Sequence, residues 1–515
     1  MISKTFIERP KFAMVVSIII VLAGLISIPL LPVSEFPEIT PPQVSVSTVY
    51  PGANAKTLVD SVAGPIEQRV NGVEGMLYMQ STSANDGSYS LNVSFDFGTD
   101  PDMAQVRVQN LVAQAEPLLP EEVKRQGITV RKQSTDMLMV VNVHSPEVDL
   151  SAEFISNYAS INVADVIARV EGVAEARNMG ALDYGMRVWL DPDRMAAIGL
   201  TTEDVVAAIR EQNVQVAVGQ IGGPPIPKGQ QFQYTLTAQG RLRTAEEFER
   251  IVVRAGGDAQ VVYLRDIARI ELGSQNYAWR GELDGRPSAV IAVYKLPSAN
   301  ALEVADNIYD LMETLQPTFP DGLTYSILYD TTRYIEISIK EIATTLFQAV
   351  ALVILVVFLF LGNWRATIIP AVTIPVSLIG TFAFMLATGM SINTVSLFGL
   401  ILAIGVVVDD AIVVIENTER HVGAGMSGRE AALQTMREVT GPVVATTLVL
   451  LAVFVPVTLM PGISGALYRQ FAMTITVAVI ISSINALTLS PALAAMLVGE
   501  KTEPKGLLGK FSAML

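Results

Sequence analysis

Apolar runs long enough to cross a bilayer, about 20 residues each, fall in two places along the chain. The first is Phe12–Leu31, "FAMVVSIIIVLAGLISIPLL", and the others crowd the last third at about 342–361, 366–387, 392–415, 442–460 and 471–498. The opening run follows Lys4, Arg9 and Lys11 and continues to Pro29 and Pro32 with no small-residue cleavage site. It therefore predicts an uncleaved first helix rather than a signal peptide.

Between the first and second spans the period changes. "QVSVSTVY" (43–50) alternates as a strand does, and "NAKTLVDSVAGPIEQRV" (54–70) repeats its apolar residues every three or four positions as a helix does. Strand-like "GMLYMQSTS" and "SYSLNVSFDF", helical "DPDMAQVRVQNLVAQAEPLL" and strand-like "GITVRKQ" complete a β-α-β-β-α-β order, the ferredoxin-like arrangement. A second copy begins at 136–145, with a helix at 151–170 and a strand at 173–180. It resumes at 288–296 with a helix at 299–316 and a strand at 323–330. Its halves are separated by an insertion, about 182–273, with a helix at 201–213. The Gly- and Pro-rich "VGQIGGPPIPKGQQFQYTL" (218–236) there reads either as a two-armed hairpin reaching a neighbour or as a mobile surface loop.

The positive charges orient the spans. Lys4, Arg9, Lys11, Arg365, Arg420, Arg429, Arg437, Lys501, Lys505 and Lys510 fall on one side, and the short loops of the other side offer Arg469. Both termini are thus expected in the cytoplasm, and the loop from about 33 to 335 outside it. Half of the residues are hydrophobic and 17% are charged, a membrane-like balance. The net charge of −15 argues against affinity for nucleic acid. There is no cysteine, and the two histidines, His144 and His421, lie far apart, which disfavours a metal site. No GxxxxGK[ST] phosphate cradle occurs, so ATP hydrolysis lacks its usual motif. No cofactor is expected.

One apolar run carries an anomaly. In "LFGLILAIGVVVDDAIVVIENTER" (397–420) Asp409 and Asp410 stand side by side. An ionised Asp near the bilayer centre costs about 2.5–3.5 kcal/mol on insertion scales. With this helix placed at about 392–415, Asp409 sits roughly 10–12 Å from its cytoplasmic end, well inside the hydrocarbon core. Successive side chains point about 100° apart, so the two acids flank one interhelical space rather than facing one neighbour. The other spans offer no Lys or Arg at mid-depth. A carboxylate pair without a counter-ion, able to take up and release a proton, is the physical core of a proton relay. Gly399 and Ala403, one turn apart, would let another helix approach. Glu416 reads as a solvated end charge, and Glu341 as an interfacial residue opening the second span.

The chain resembles the N-terminal half of a resistance–nodulation–division (RND) efflux transporter of the hydrophobe/amphiphile multidrug type. The likeness covers almost all 515 residues. It is carried by "RPKFAMVVSIIIVLAGLISIPLLPVSEFPEI" (9–39), "VYPGANAKT" (49–57), "DPDMAQVRVQN" (100–110), "LFLGNWRATIIPAVTIPVSLIGTF" (359–382), "SINTVSLFGLILAIGVVVDDAIVVIENTER" (391–420), "GALYRQFAMTI" (465–475) and "LTLSPALAAML" (487–497). The resemblance implies a proton-driven pump of the inner membrane, acting as a homotrimer with a periplasmic adaptor and an outer-membrane channel. Asp409 and Asp410 would be its proton-binding pair, partnered by a Lys in the C-terminal half of the same pump. The expected organisation is an N-terminus and first helix at 1–32 and a first porter subdomain at 33–135. A discontinuous second porter subdomain follows at 136–181 and 274–335, with a docking subdomain at 182–273. Five further helices at 336–498 and a cytoplasmic tail at 499–515 complete it.

The resemblance also implies a substrate pocket for amphiphilic small molecules, built from Ser47, Ser90, Asn92, Met137, Val140, Met179, Gly180, Asn276 and Tyr329. Met137 and Met179 stand where multidrug members usually carry Phe, replacing ring stacking with polarisable thioethers. Arg131 replaces an acidic residue and would favour anionic amphiphiles. A metal-exporting relative and a non-transporting periplasmic assembly module are the competing readings; the acid pair speaks against the second. The chain is expected to be either a fragment of a longer pump or a half-transporter needing a separate second half, and not to transport alone.

Overall fold

The computed structural model describes residues 2–498 apart from 38–39, 135, 216, 223–224, 226–231, 238–239, 256–260, 276, 278 and 298. After a short helix, Ile2–Glu8, helix α1 (Pro10–Ser27) leads into the soluble part. There β1 (Gln43–Val49), helical α2 (55–70), β2 (Met76–Ser83), β3 (Ser88–Phe95), α3 (Pro101–Ala115) and β4 (Thr129–Gln133) form a first unit. Its antiparallel sheet has the order β2-β3-β1-β4. Alternation decides which side of the sheet is covered. Val44, Val46, Leu91 and Val93 are buried under the helices with Leu58, Ile66, Val108 and Val112, whereas Ser45, Ser47, Ser90 and Asn92 lie on the opposite, open face.

The second unit repeats the plan with β5 (Met137–His144), helical α4 (152–167) and β6 (Val173–Asn178), then β11 (Arg286–Lys295), α6 (Ala301–Leu315) and β12 (Thr324–Asp330). Its ladder runs β6-β11-β5-β12, again antiparallel. Met139, Val141, Val143, Ile291 and Val293 meet Ile155, Val163, Val304 and Ile308 in its core. Side-chain caps start the helices: Asp100, Ser151 and Asn300 each accept from a backbone N–H of the first turn. Interrupting this unit are β7 (Tyr184–Leu190), α5 (Thr202–Gln212), β8 (Gln220–Ile221), β9 (Tyr234–Thr235) and β10 (Ala268–Ser274). β7 pairs with β10, and the insertion has its own core of Leu200, Val205, Phe248, Leu264 and Ile267. β8 and β9 pair as the base of an exposed hairpin, most of whose tip lies outside the described residues.

Among the described residues, six helices or helix pairs are long and apolar enough to cross a membrane. Beyond α1 these are α7 (Thr331–Leu361), α8 (Trp364–Ala387), α9 (Thr394–Gly423), α10 (Gly428–Thr458), and α11 (Gly462–Leu487) with α12 (Leu489–Leu497). Four bounds differ from the sequence expectation. α10 starts at Gly428 rather than near 442 and α11 at Gly462 rather than near 471, because charged, helix-competent residues precede their apolar runs. α7 starts at Thr331, directly after β12, not near 342. Its first turns carry apolar residues as a stripe, with buried Ile335 and Ile342, so hydropathy misses them while the Asp330 cap, accepting from Thr332 N at 2.9 Å, fixes the start. Glu341 therefore lies inside the helix, ten residues after its start, and is exposed. α9 runs on to Gly423, since "NTERHVG" is polar but helix-competent. Asp409 consequently stands fifteen residues after Thr394 and fourteen before Gly423, at the helix midpoint.

α9 touches α7, α8, α10 and α11. Gly399 lets α11 close in, since a Cβ there would sit 3.2 Å from the Phe471 carbonyl oxygen, and Ala403 packs with Val407 and Ala478. α1 and α8 approach more tightly still. A Cβ on Gly24 would lie 2.0 Å from the Ile379 carbonyl oxygen, whereas one on Gly405 meets no atom within 4 Å. Gly24→Val is accordingly expected to force the two backbones apart at a cost of about 1–3 kcal/mol. A lower thermal midpoint and folded yield of the detergent-solubilised protein are the expected readouts, with Gly405→Ala near the parent value.

Candidate functional site

The acids first. α9 presents Asp409 on an exposed surface of the helix bundle and Asp410 part-buried, while Val407, Val408 and Ala411 are buried. The 100° step between neighbours on a helix produces this split. Ser482 of α11 donates its hydroxyl to the Val407 carbonyl at 2.9 Å and lies within hydrogen-bonding reach of the Asp410 carboxylate. Nearby, other polar side chains are paired: Asn485 Nδ2 donates to Ser377 Oγ at 3.1 Å, and Thr447 Oγ1 to Ser483 Oγ at 3.0 Å. Among the described residues neither carboxylate has an ion pair. Glu416 is exposed on the same helix.

The chain physically joins this position to the soluble part. Ile342, Leu346, Val350 and Ile354 of α7 pack in one cluster with Leu397, Leu400, Ile404 and Val408 of α9. At its other end α7 is tied to the second sheet, where Thr331 Oγ1 donates to the Leu138 carbonyl at 2.8 Å, and β12 just before it is held to α6 by Tyr309 OH donating to Asp330 Oδ2 at 2.8 Å. A seam also holds the start of α9, where Ile392 N donates to the Pro32 carbonyl at 2.9 Å and Ser34 N to the Ile392 carbonyl at 3.1 Å.

The remaining sequence-selected residues lie on the open faces of the two sheets. Ser47 stands opposite Ser90 in the ladder, and Asn92 opposite Ser45; the buried Oδ1 of Asn92 has no hydrogen-bond partner. Across from this polar wall, Val140 pairs with Ala292 and with Tyr329, which is 49% exposed. Met137 faces Tyr294, and Met179 is held at the end of β6 by its N–H bond to the Val290 carbonyl at 2.7 Å. Asn276 lies outside the described residues. That the two open faces converge is shown by one contact, Arg131 Nη1 to Glu175 Oε1 at 3.0 Å. Arg131 shares the face of Ser45, and Glu175 that of Tyr294. The Arg131 guanidinium is already paired here, with Glu175. Glu175, Arg177 and Tyr294 went unnoticed in the sequence, although the alternation in "VAEARN" puts Glu175 and Arg177 on one face.

Two sheet faces, one polar and one apolar, joined at the Arg131–Glu175 contact, stand at the far end of a continuous helix from a carboxylate pair in the bundle. A profile described as the AcrB/AcrD/AcrF family matches residues 2–515. The chain belongs to the AcrB/AcrD/AcrF family. Multidrug export protein AcrF of Escherichia coli (strain K12) is 45% identical over 506 residues, 97% of this chain and 49% of its own length. Multidrug resistance protein MdtF of the same strain is 42% identical over 514 residues, 99% of this chain and 50% of its own. Toluene efflux pump membrane transporter TtgB of Pseudomonas putida is 42% identical over 510 residues, 98% and 48% respectively. The chain spans about half the length of these curated relatives. The AcrB/AcrD/AcrF family consists of RND transporters, not enzymes, and the six helices agree with a multi-pass membrane protein.

Gly180 turns the chain out of β6 with φ +98°, and a Cβ there would lie 3.1 Å from the Trp279 Cβ. Gly180→Ala should cost about 1–2 kcal/mol through left-handed strain and shift the neighbouring Met179. Faster limited proteolysis after residue 180, compared with Gly240→Ala, where φ is not left-handed and a Cβ meets its nearest atom at 3.7 Å, is the expected result.

Proposed function

We propose that this chain is the N-terminal half of a proton-driven exporter of hydrophobic and amphiphilic compounds, working from the inner membrane and the periplasm. The observation that carries the reading is helix α7, one unbroken element of 31 residues joining the cleft strand β12 to the helix that holds the acids. Asp409 and Asp410 load and release the proton in exchange for outward movement of the ligand. A change in their charge repacks α9 against α7, and α7 passes the displacement to β12 and β5, where Tyr329, Met137 and Val140 stand. Ser47, Ser90 and Asn92 form the polar wall of the substrate pocket, and Met137, Val140, Met179, Gly180 and Tyr329 its apolar wall, with Asn276 beside them.

In this scheme the two sheet units are ferredoxin-like porter subdomains, 33–135 and 136–181 with 274–335. The insertion at 182–273 is a docking subdomain whose hairpin grips the next protomer of a homotrimer. The exposed Ile221, Phe232 and Tyr234 at the hairpin base suit such a contact. A C-terminal half supplies six more helices and a basic partner for the acids. A periplasmic adaptor and an outer-membrane channel complete the export route, and both termini face the cytoplasm. A soft-metal exporter fits less well. Met137 lies in the row of Tyr294 and Glu175, whereas Met179 follows Asn178, which faces Ile291. About three to four residues along a strand, roughly 10–13 Å, keep the thioethers from sharing one ion.

Asp409→Asn and Asp410→Asn, each made in the intact transporter in cells, are expected to abolish export, raising dye accumulation to the level of cells without the pump. Unchanged efflux in both variants would remove proton coupling from these residues.

A further inference from the structure

The foot of the cleft carries more charge than its walls. Arg131 and Glu175 make the one ion pair that links the two sheet units among the described residues, with side chains 49% and 19% exposed. Two residues along β6, on the same face as Glu175, the Arg177 guanidinium lies 6.0 Å over the ring of Tyr294, and it has no ion pair among the described residues. The other charges nearby are neutralised in pairs of their own: Lys132 with Asp102 at 2.6 Å, and the buried Lys295 with Asp136 at 2.7 Å. The floor therefore holds two guanidinium groups and one carboxylate, an excess of positive charge.

We propose that Glu175 is a built-in occupant of an anion subsite: its carboxylate holds Arg131 until the acidic head group of an anionic amphiphile replaces it, held between Arg131 and Arg177. The inference rests on reading the cleft as the ligand site. Exchange of one carboxylate for another on the same guanidinium conserves the charge-assisted hydrogen bonds, so burial of the ligand's apolar body against Met137, Val140, Met179 and Tyr329 drives binding. A cationic ligand has no such exchange; it must compete with Arg131 for Glu175 and meets Arg177 as a like charge. Displacing Glu175 also undoes the tie between the sheets, so the same step that admits an anionic head frees the two units to move apart.

The test compares an anionic and a cationic probe, deoxycholate and ethidium, in cells making the intact transporter with single substitutions. Glu175→Gln leaves Arg131 free and is expected to raise protection against deoxycholate about two- to fivefold, the range of an exposed ion pair, while ethidium export falls. Arg131→Ala is expected to do the reverse, and Arg131→Lys to keep the parent order of the two probes. Variants that move both probes in the same direction, or neither, would overturn the subsite and leave only a structural tie. Asp409→Asn run alongside separates the two claims. If it leaves export intact while Glu175→Gln still sorts the probes by charge, the proton reading fails and the anion subsite stands.

Discussion

Two adjacent carboxylates at the midpoint of α9 are the constraint around which the membrane part is organised. An ionised Asp at that depth costs about 2.5–3.5 kcal/mol, so the rest of the helix has to offset it. It does so by burying Val407, Val408, Ala411, Val414 and Ile415 against neighbours on several sides. Small residues at Gly399 and Ala403 bring α11 close enough for Ser482 to reach the acid-bearing turn. Nearby polar side chains pair with one another, Asn485 with Ser377 and Thr447 with Ser483.

A rigid attachment joins this part of the bundle to the second sheet unit. α7 is at once a membrane helix and the continuation of a cleft strand, with no loop between Asp330 and Thr331 to absorb a displacement. The seam between Pro32, Ser34 and Ile392, together with the Ala301 N–H bond to the Val33 carbonyl, fastens the start of α9 to the exit of α1 and to the first turn of α6. Two separate connections therefore run from the acid-bearing bundle to the second sheet unit. A packed, loop-free connection is what a two-state element needs.

Much of this was legible in the sequence because hydropathy and period report burial directly. The six apolar runs, both β-α-β-β-α-β orders and the acid pair all follow from spacing; the soluble elements' bounds differ by a few residues, whereas α7, α10 and α11 begin well before their apolar runs. The start of α7 was hidden because an amphipathic stripe inside a polar segment looks soluble to a hydropathy window. The extension of α9 was hidden because charged, helix-competent residues past the bilayer look like a loop. In the cleft, strand alternation places Ser47, Ser90 and Asn92 on one face, but no single-strand pattern says that two sheets meet. That information lives in the Arg131–Glu175 pair, 44 residues apart in sequence.

The division of labour between the two walls follows from the same alternation. The first sheet offers hydroxyls and amides on its open face, whereas the second offers Met, Val and Tyr. A ligand apolar throughout would leave the hydroxyls and the Asn92 amide unsatisfied, and a fully polar one would gain little from the second wall. The surface complementary to both is amphiphilic. On the proposed reading, thioethers rather than rings on the apolar side let that surface conform to varied shapes, and selectivity passes to the fixed charges of Arg131, Glu175 and Arg177.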